Sequence, residues 1–397
     1  MKPETMSPAV RTDPLPFCRP SLDEREAEAV LEVLHSGWLT SGPQVKWLEQ
    51  EFAEYVGAAE ALAVTSCTAA QHLVMHALDL KPGDEVIVPS LTWPSTVNTI
   101  VLAGGRPVFA DVDPVTANLD PASVEERVTE RTRAIVPVHF AGRAADLPAL
   151  QALAEAARVP LIHDAAHAAG TELLGERIGS GVGPTVFSFH PIKNMTTGEG
   201  GMITTDDGEL AARLRRLRFH GIERDAWSRY RGKGAAQYAV IEPGFKYNLP
   251  DILAAIGRVQ LAKLDALIAK RTRLAHHYDR ALAALDDVLV RPPIETAVGE
   301  RHAWHLYTVQ LRLERIGLDR DAVMSGLQEL GISTGLHFNA VHLHPYYIER
   351  FGMAPGDLPI TESIAERIVS LPLFPEMSES DVEDVVTALK QVTHGDH

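Results

Sequence analysis

The chain has 397 residues, 45% of them hydrophobic and 23% charged, enough apolar material for two domains or for one large and one small. A net charge of −16, from 37 basic and 53 acidic residues, excludes the basic footprint of a nucleic-acid binder. Two cysteines exclude a disulfide framework, and the absence of an apolar leader or of a run of about eighteen apolar residues argues for a soluble cytoplasmic protein with no membrane span.

Residues 1–16, rich in proline and polar residues, read as a loosely held arm. The run ALAVT (61–65) then reads as a strand, and CTAAQHLVMHALDL after it places Leu73, Val74, Ala77 and Leu78 on one helical face. Further strand candidates are EVIVPS (85–90), RPVFADV (106–112), AIVPVHF (134–140), VPLIHD (159–164), TVFSFH (185–190) and GGMITTD (200–206). Several are apolar on successive residues, as in a sheet covered on both faces. LPALQALAEAARV between two of them completes a βαβ unit. The fold class is therefore α/β, with a mostly parallel sheet over residues 17–260. Residues 251–285 predict one or two long helices. HLYTVQLRL (305–313) alternates like an antiparallel strand, LDRDAVMSGLQELGI is an amphipathic helix, and SESDVEDVVTALKQV opens on helix-capping residues. Residues 261–397 are thus expected to form a smaller α+β domain.

Open α/β sheets bind ligands beyond the carboxyl ends of their strands. ALAVT delivers Ser66, Cys67 and Thr68 to a helix start, where backbone N–H groups and hydroxyls suit a phosphate; plain N-capping is the alternative. EVIVPS delivers Trp93, which can stack on a flat ligand or simply pack. VPLIHD delivers Asp164, a carboxylate whose burial demands a partner, a cationic ligand nitrogen on one reading, an N-cap or a salt bridge to an arginine on the other. TVFSFH delivers Ser188, His190 and Lys193; a desolvated lysine there can act as a nucleophilic amine, and a solvated loop lysine is the ordinary alternative. A phosphate cradle, a stacking ring, a carboxylate and an amine, in that order, meet the four needs of pyridoxal 5'-phosphate.

The segments HDAAH (163–167) and SFHPIKNMTTGEGG (188–201) closely resemble the DegT/DnrJ/EryC1/StrS family of pyridoxal phosphate-dependent sugar aminotransferases, of aspartate aminotransferase-like fold type I. SLTWPSTVN, PGFKYNLPDI and TGLHFNAVHLHPYY resemble the branch that aminates C4 of nucleotide-linked 4-keto sugars. The resemblance implies roles. Lys193 holds the cofactor as a Schiff base, Asp164 pairs its pyridine nitrogen, His167 lies close to the ring and Trp93 stacks on it. Thr68, Ala69 and Ser188 hold its phosphate. Asn248 reaches the phosphate of a neighbouring subunit, so a homodimer shares its active sites, and His337 lies at the substrate end. The implied reaction moves an amino group from an amino acid, L-glutamate by expectation, to a nucleotide-linked keto sugar. Arg229, Arg231 and Lys233 form a basic cluster that suits a diphosphate, or a merely solvated loop.

Two other enzymes fit parts of this pattern. A dehydratase of the same family would use the same cofactor to remove water. HDAAH, with His337, His342 and His344, superficially suggests a zinc site, but it follows a strand rather than lying on a helix, and aspartate replaces the required glutamate. A regulator that binds the cofactor without turnover would carry a basic helix-turn-helix, and none is apparent.

Overall fold

The computed structural model describes residues 11, 13–181, 183–222 and 238–395. After Pro20 the charged run forms α1 (Glu24–Ser36), started by a reciprocal capping box between Asp23 and Glu26. Helix α2 (Pro43–Val56) follows, with proline at its first position. The expected alternation then begins. In chain order the elements are β1 (Glu60–Val64), α3 (Cys67–Ala77), β2 (Glu85–Pro89), α4 (Pro94–Leu102), β3 (Arg106–Ala110), β4 (Thr132–Ile135), α5 (Leu147–Ala157), β5 (His163–Asp164), β6 (Thr185–Ser188), β7 (Gly201–Thr205) and α6 (Gly208–Leu217).

The strands pair in two ladders, β1-β7-β6-β5 and β3-β2-β4. Parallel bridges at Ile135↔Leu161 and Val138↔Asp164 join them into one sheet of order β1-β7-β6-β5-β4-β2-β3. Among these strands β7 alone runs against its neighbours. The mostly parallel sheet of fold type I is thus present. Two strands are shorter than the apolar runs suggest. AIVPVHF and VPLIHD contain Pro137 and Pro160, which have no N–H to give a ladder. Hydrogen bonds still cross the seam: Ile162 N–H to Ile135 O (2.9 Å), Asp164 N–H to Pro137 O (2.9 Å) and His139 N–H to Asp164 O (3.0 Å).

Both faces of the sheet are covered, as the unbroken apolar runs require. Leu62, Val64, Val88, Val186 and Ile203 pack toward Leu73, Val97 and Leu214 on one side. Ala61, Ala63, Phe187 and Met202 pack toward Leu48, Phe52 and Leu264 on the other. The residues alternate between the two cores, as strand geometry demands.

Helix α7 (Asp251–Leu282) is a single helix of 32 residues. Its first half, through Ala254, Leu261, Leu264 and Ile268, belongs to the core beneath the sheet. Its second half, through Leu274, Ala275, Tyr278 and Leu282, belongs to a separate core. That core is closed by the antiparallel strands β8 (Leu289–Val290), β9 (Tyr307–Leu311) and β10 (Ile368–Leu371), with α8 (Arg320–Glu329) and α9 (Glu379–His394). The boundary expected after residue 260 falls inside α7. Of the expected arm, residues 1–10 and 12 lie outside the described residues. Leu15 is fastened to the smaller unit: its N–H donates to Gly331 O (2.8 Å) and its carbonyl accepts from Ser333 N–H (3.0 Å). Among the described residues no helix is long and apolar enough to cross a membrane.

Since β1, β2, β5 and β6 run the same way, their carboxyl ends meet at one edge of the sheet, where β7 begins. The approach there is close. A Cβ on Gly201 would lie 2.7 Å from Cys67 N and Ser66 C and 2.8 Å from Phe187 O. All three are backbone atoms and cannot rotate away, so Gly201→Ala should cost about 1–3 kcal/mol by overpacking. A denaturant midpoint equal to that of the wild type would contradict this close fit.

Candidate active site

At that edge the chain encloses a cavity of about 370 Å³. Thr68, Trp93, Asp164, His167, Ser188, Lys193 and His337, drawn from segments up to 269 residues apart in sequence, all line it.

Asp164 ends β5 and is only 4% exposed. Its Oδ2 accepts from Gln71 Nε2 (2.6 Å) and Thr96 Oγ1 (2.7 Å), and its Oδ1 from Ala166 N–H (3.1 Å). These donors are neutral, so the alternative of an arginine pair is set aside. Burial raises the carboxyl above its ordinary range, opposed by these hydrogen bonds and by the charge of Lys193. A cationic ring nitrogen would complete this environment.

Lys193 stands in the turn between β6 and β7. Its N–H donates to His190 O (2.9 Å), and Asn194 Nδ2 ties the next residue to Ala303 O (2.8 Å). Burial lowers the amine to about 8, with Cys67, Asp164 and Cys18 resisting. The solvated-loop alternative therefore does not hold. At pH 7 about a tenth of such an amine is uncharged, far more than for an ordinary lysine, and the uncharged form is what a nucleophile or proton carrier needs.

His167 is buried, its Nδ1 meets no partner among the described residues, and its ring stacks on Phe338 with centroids 5.8 Å apart. Burial, then the charge of Lys193, holds it well below the ordinary histidine range. His337 stacks on Phe17 at 5.5 Å and its Nδ1 meets Ser370 Oγ at 2.8 Å; burial pushes it down to about 3. Trp93 is 62% exposed at the mouth, which excludes a packed structural tryptophan and leaves a ring face free to cover a ligand. Ser66, not Thr68, caps α3, its Oγ accepting from Ala69 N–H (3.0 Å). The N-capping alternative is thus met by Ser66, and Thr68 lines the cavity beside it.

Ala69 and Asn248 do not line this cavity. Asn248 pairs with Ser41 Oγ (2.6 Å) and Lys246 Nζ. Arg229, Arg231 and Lys233 lie outside the described residues. His163 is on a strand and His167 in the turn beyond it, so the pair is not one helical turn apart. His342 bridges Ser90 Oγ (2.7 Å) and Glu362 Oε1 (3.1 Å), away from the cavity. Among the described residues no group of three histidine, cysteine or carboxylate side chains could hold a metal ion.

Sequence reasoning missed Gln71, Thr96 and His305. Gln71 is one turn into α3 and Thr96 one turn after Thr92, spacings that point a side chain back at the strand ends. His305 Nε2 lies 3.4 Å from Lys193 Nζ across 112 residues of chain, and a local motif carries no such information.

The model of the DegT/DnrJ/EryC1/StrS aminotransferase family matches residues 20–390. The chain is similar to Helicobacter pylori PseC, an aminotransferase involved in the biosynthesis of pseudoaminic acid (27% identity, TM-score 0.90, covering 97% of this chain and 100% of that one). It is similar to Spr1654 from Streptococcus pneumoniae, solved in PMP and PLP forms (30% identity and TM-score 0.89 for the PMP form, 96% and 99% covered). It is also similar to the sugar aminotransferase CalS13 from Micromonospora echinospora (31% identity, TM-score 0.84, 95% and 99% covered).

Proposed function

Because the chain belongs to the DegT/DnrJ/EryC1/StrS aminotransferase family, we propose that it transfers an amino group from L-glutamate to a nucleotide-linked keto sugar, at C4 of the sugar. Pyridoxal phosphate is the cofactor this reading requires, and the wall of the cavity fits it. The observation that carries the reading is that Asp164, a buried carboxylate held by neutral donors, and Lys193 line one cavity.

Lys193 would hold the aldehyde, Asp164 would face the ring nitrogen, Trp93 would cover the ring beside His167, and the start of α3 with Thr68 and Ser188 would hold the phosphate. When bound, the cofactor supplies an electron sink and a carrier for the amino group. The protein supplies the rest. Lys193 Nζ, once free and uncharged, would take the α-proton of the amino donor and return it to the carbon on the far side of the transferred nitrogen, a 1,3-shift. Asp164 keeps a positive charge on the group it faces, at a low-dielectric position where such pairing is strong. Phe338 and Leu336 keep the substrate end of the cavity apolar and so limit water. Asn248 would reach the phosphate of a neighbouring site in a homodimer.

Incubation of the purified protein with L-glutamate and a panel of nucleotide-linked keto sugars, followed by mass analysis, tests the reading. Amino sugar and 2-oxoglutarate in equal amounts are expected. Loss of water with no 2-oxoglutarate would instead identify a dehydratase.

A further inference from the structure

His305 has no part in the roles assigned above, yet it touches the reactive amine. Its Nε2 is 3.4 Å from Lys193 Nζ, and the residue is 3% exposed. The segment that presents it is built with care. Trp304, just before it, is held at φ +47, a left-handed conformation that tryptophan avoids unless its surroundings impose it. Here they do. The Trp304 ring lies on His302 at 3.9 Å and 3°, and Trp304 N–H donates to His302 Nδ1 (2.9 Å). Ala303 N–H and Leu306 N–H donate to Gly142 O (2.9 Å) and Ala141 O (3.2 Å). Arg271, 2% exposed, spans the carbonyls of Trp304 (3.3 Å), His305 (3.2 Å) and Leu373 (2.7 Å) with one nitrogen. Asn194, the residue after the lysine, closes the loop onto Ala303 O.

We propose that His305 is a positioning residue for Lys193, an uncharged imidazole whose Nε2 accepts a hydrogen bond from Nζ and steadies the ammonium formed during proton transfer. This rests on the aminotransferase reading above.

The charge around the pair supports it. Facing Lys193 are Cys18 from the N-terminal segment, Cys67 from α3, Asp164 from β5, His167 from the turn beyond β5 and His337 from the segment before β10. Facing His305 are Lys193, His167, Arg271 and His337, which together with burial hold its imidazole well below the ordinary range. With two cations beside it, a second proton on His305 is disfavoured, and in the tautomer protonated at Nδ1, an atom that meets no partner among the described residues, the Nε2 lone pair faces the amine. A like-sized residue without an acceptor would leave the ammonium unsupported.

The test uses the full chain with His305→Phe and His305→Gln. Competitive labelling of Lys193 across pH in the cofactor-free protein should show the Phe variant's midpoint roughly one unit below that of the wild type. In the loaded enzyme its kcat should fall on the order of 100-fold, with KM for the amino donor little changed. The Gln variant, which offers an acceptor oxygen, should recover most of both. An unmoved midpoint in the Phe variant, or a Gln variant indistinguishable from it, overturns the proposal. If the Phe variant does not fold, His305→Leu carries the same comparison. Borohydride trapping of the cofactor on wild-type Lys193 separates the two levels of argument. Absence of the trapped bond removes both the aminotransferase reading and this role, whereas a trapped bond with an unmoved midpoint removes only this role.

Discussion

Lys193→Ala is expected to lower amino transfer by at least about 10⁴-fold, the upper range for losing a positioned acid–base group, and to abolish the borohydride-trapped bond as well. The residue is both the anchor and the proton carrier, so both losses fall on one substitution. The wild type adds a signature that the variant lacks. Burial lowers the Lys193 amine to about 8, below the ordinary lysine value of 10.5. Below that pH the amine is an ammonium and cannot accept a proton; above it the amine is free. The rate of the proton-transfer half-reaction should therefore rise as pH increases through about 8. A rate flat from pH 7 to 9, or a variant with residual transfer within tenfold of the wild type, would remove Lys193 from this role.

Asp164→Asn should separate activity from stability. Activity should fall on the order of 10²–10³-fold, because an amide cannot keep a ring nitrogen charged. Stability should not fall with it. Burial raises the Asp164 carboxyl in the folded chain. Between the ordinary carboxyl value and that raised one, the folded state holds more protons than the unfolded state, so stability declines as pH rises through the window. At neutral pH the buried carboxylate is thus a cost to the cofactor-free fold. The Asn variant should melt at the same temperature as the wild type or higher. A variant that melts lower without cofactor would mean that Asp164 is a structural anchor instead.

The strands and their order of use were legible in the sequence, because a sheet covered on both faces writes itself as unbroken apolar runs such as EVIVP and TVFS. Their ends were less so. Pro137 and Pro160 lie within apolar runs, and hydrophobicity alone does not register a missing N–H. Helices α1 and α2 went unread, although D-E-R-E at residues 23–26 spells a capping box; the charged residues around it mask the stripe of Val33, Leu48 and Phe52. In the site, Asp164, Lys193, Ser188, Thr68 and Trp93, which the structure brings to one cavity, were legible because each ends its strand or follows it within about five residues. Gln71 and Thr96 were not, since they act by touching Asp164 rather than a ligand. His305 could not be seen from local spacing at all: only the packing of the smaller unit against the sheet brings it to the lysine.

Helix α7 gives the molecule a further property. One rod is embedded at both ends in different oil-filled compartments, so neither compartment can loosen without dragging on the other. A chain severed at residue 260 would leave each fragment with a bare greasy flank where the missing half of the rod had been. The two lobes are therefore one mechanical object, and any hinge between them has to bend beside this shaft rather than through it.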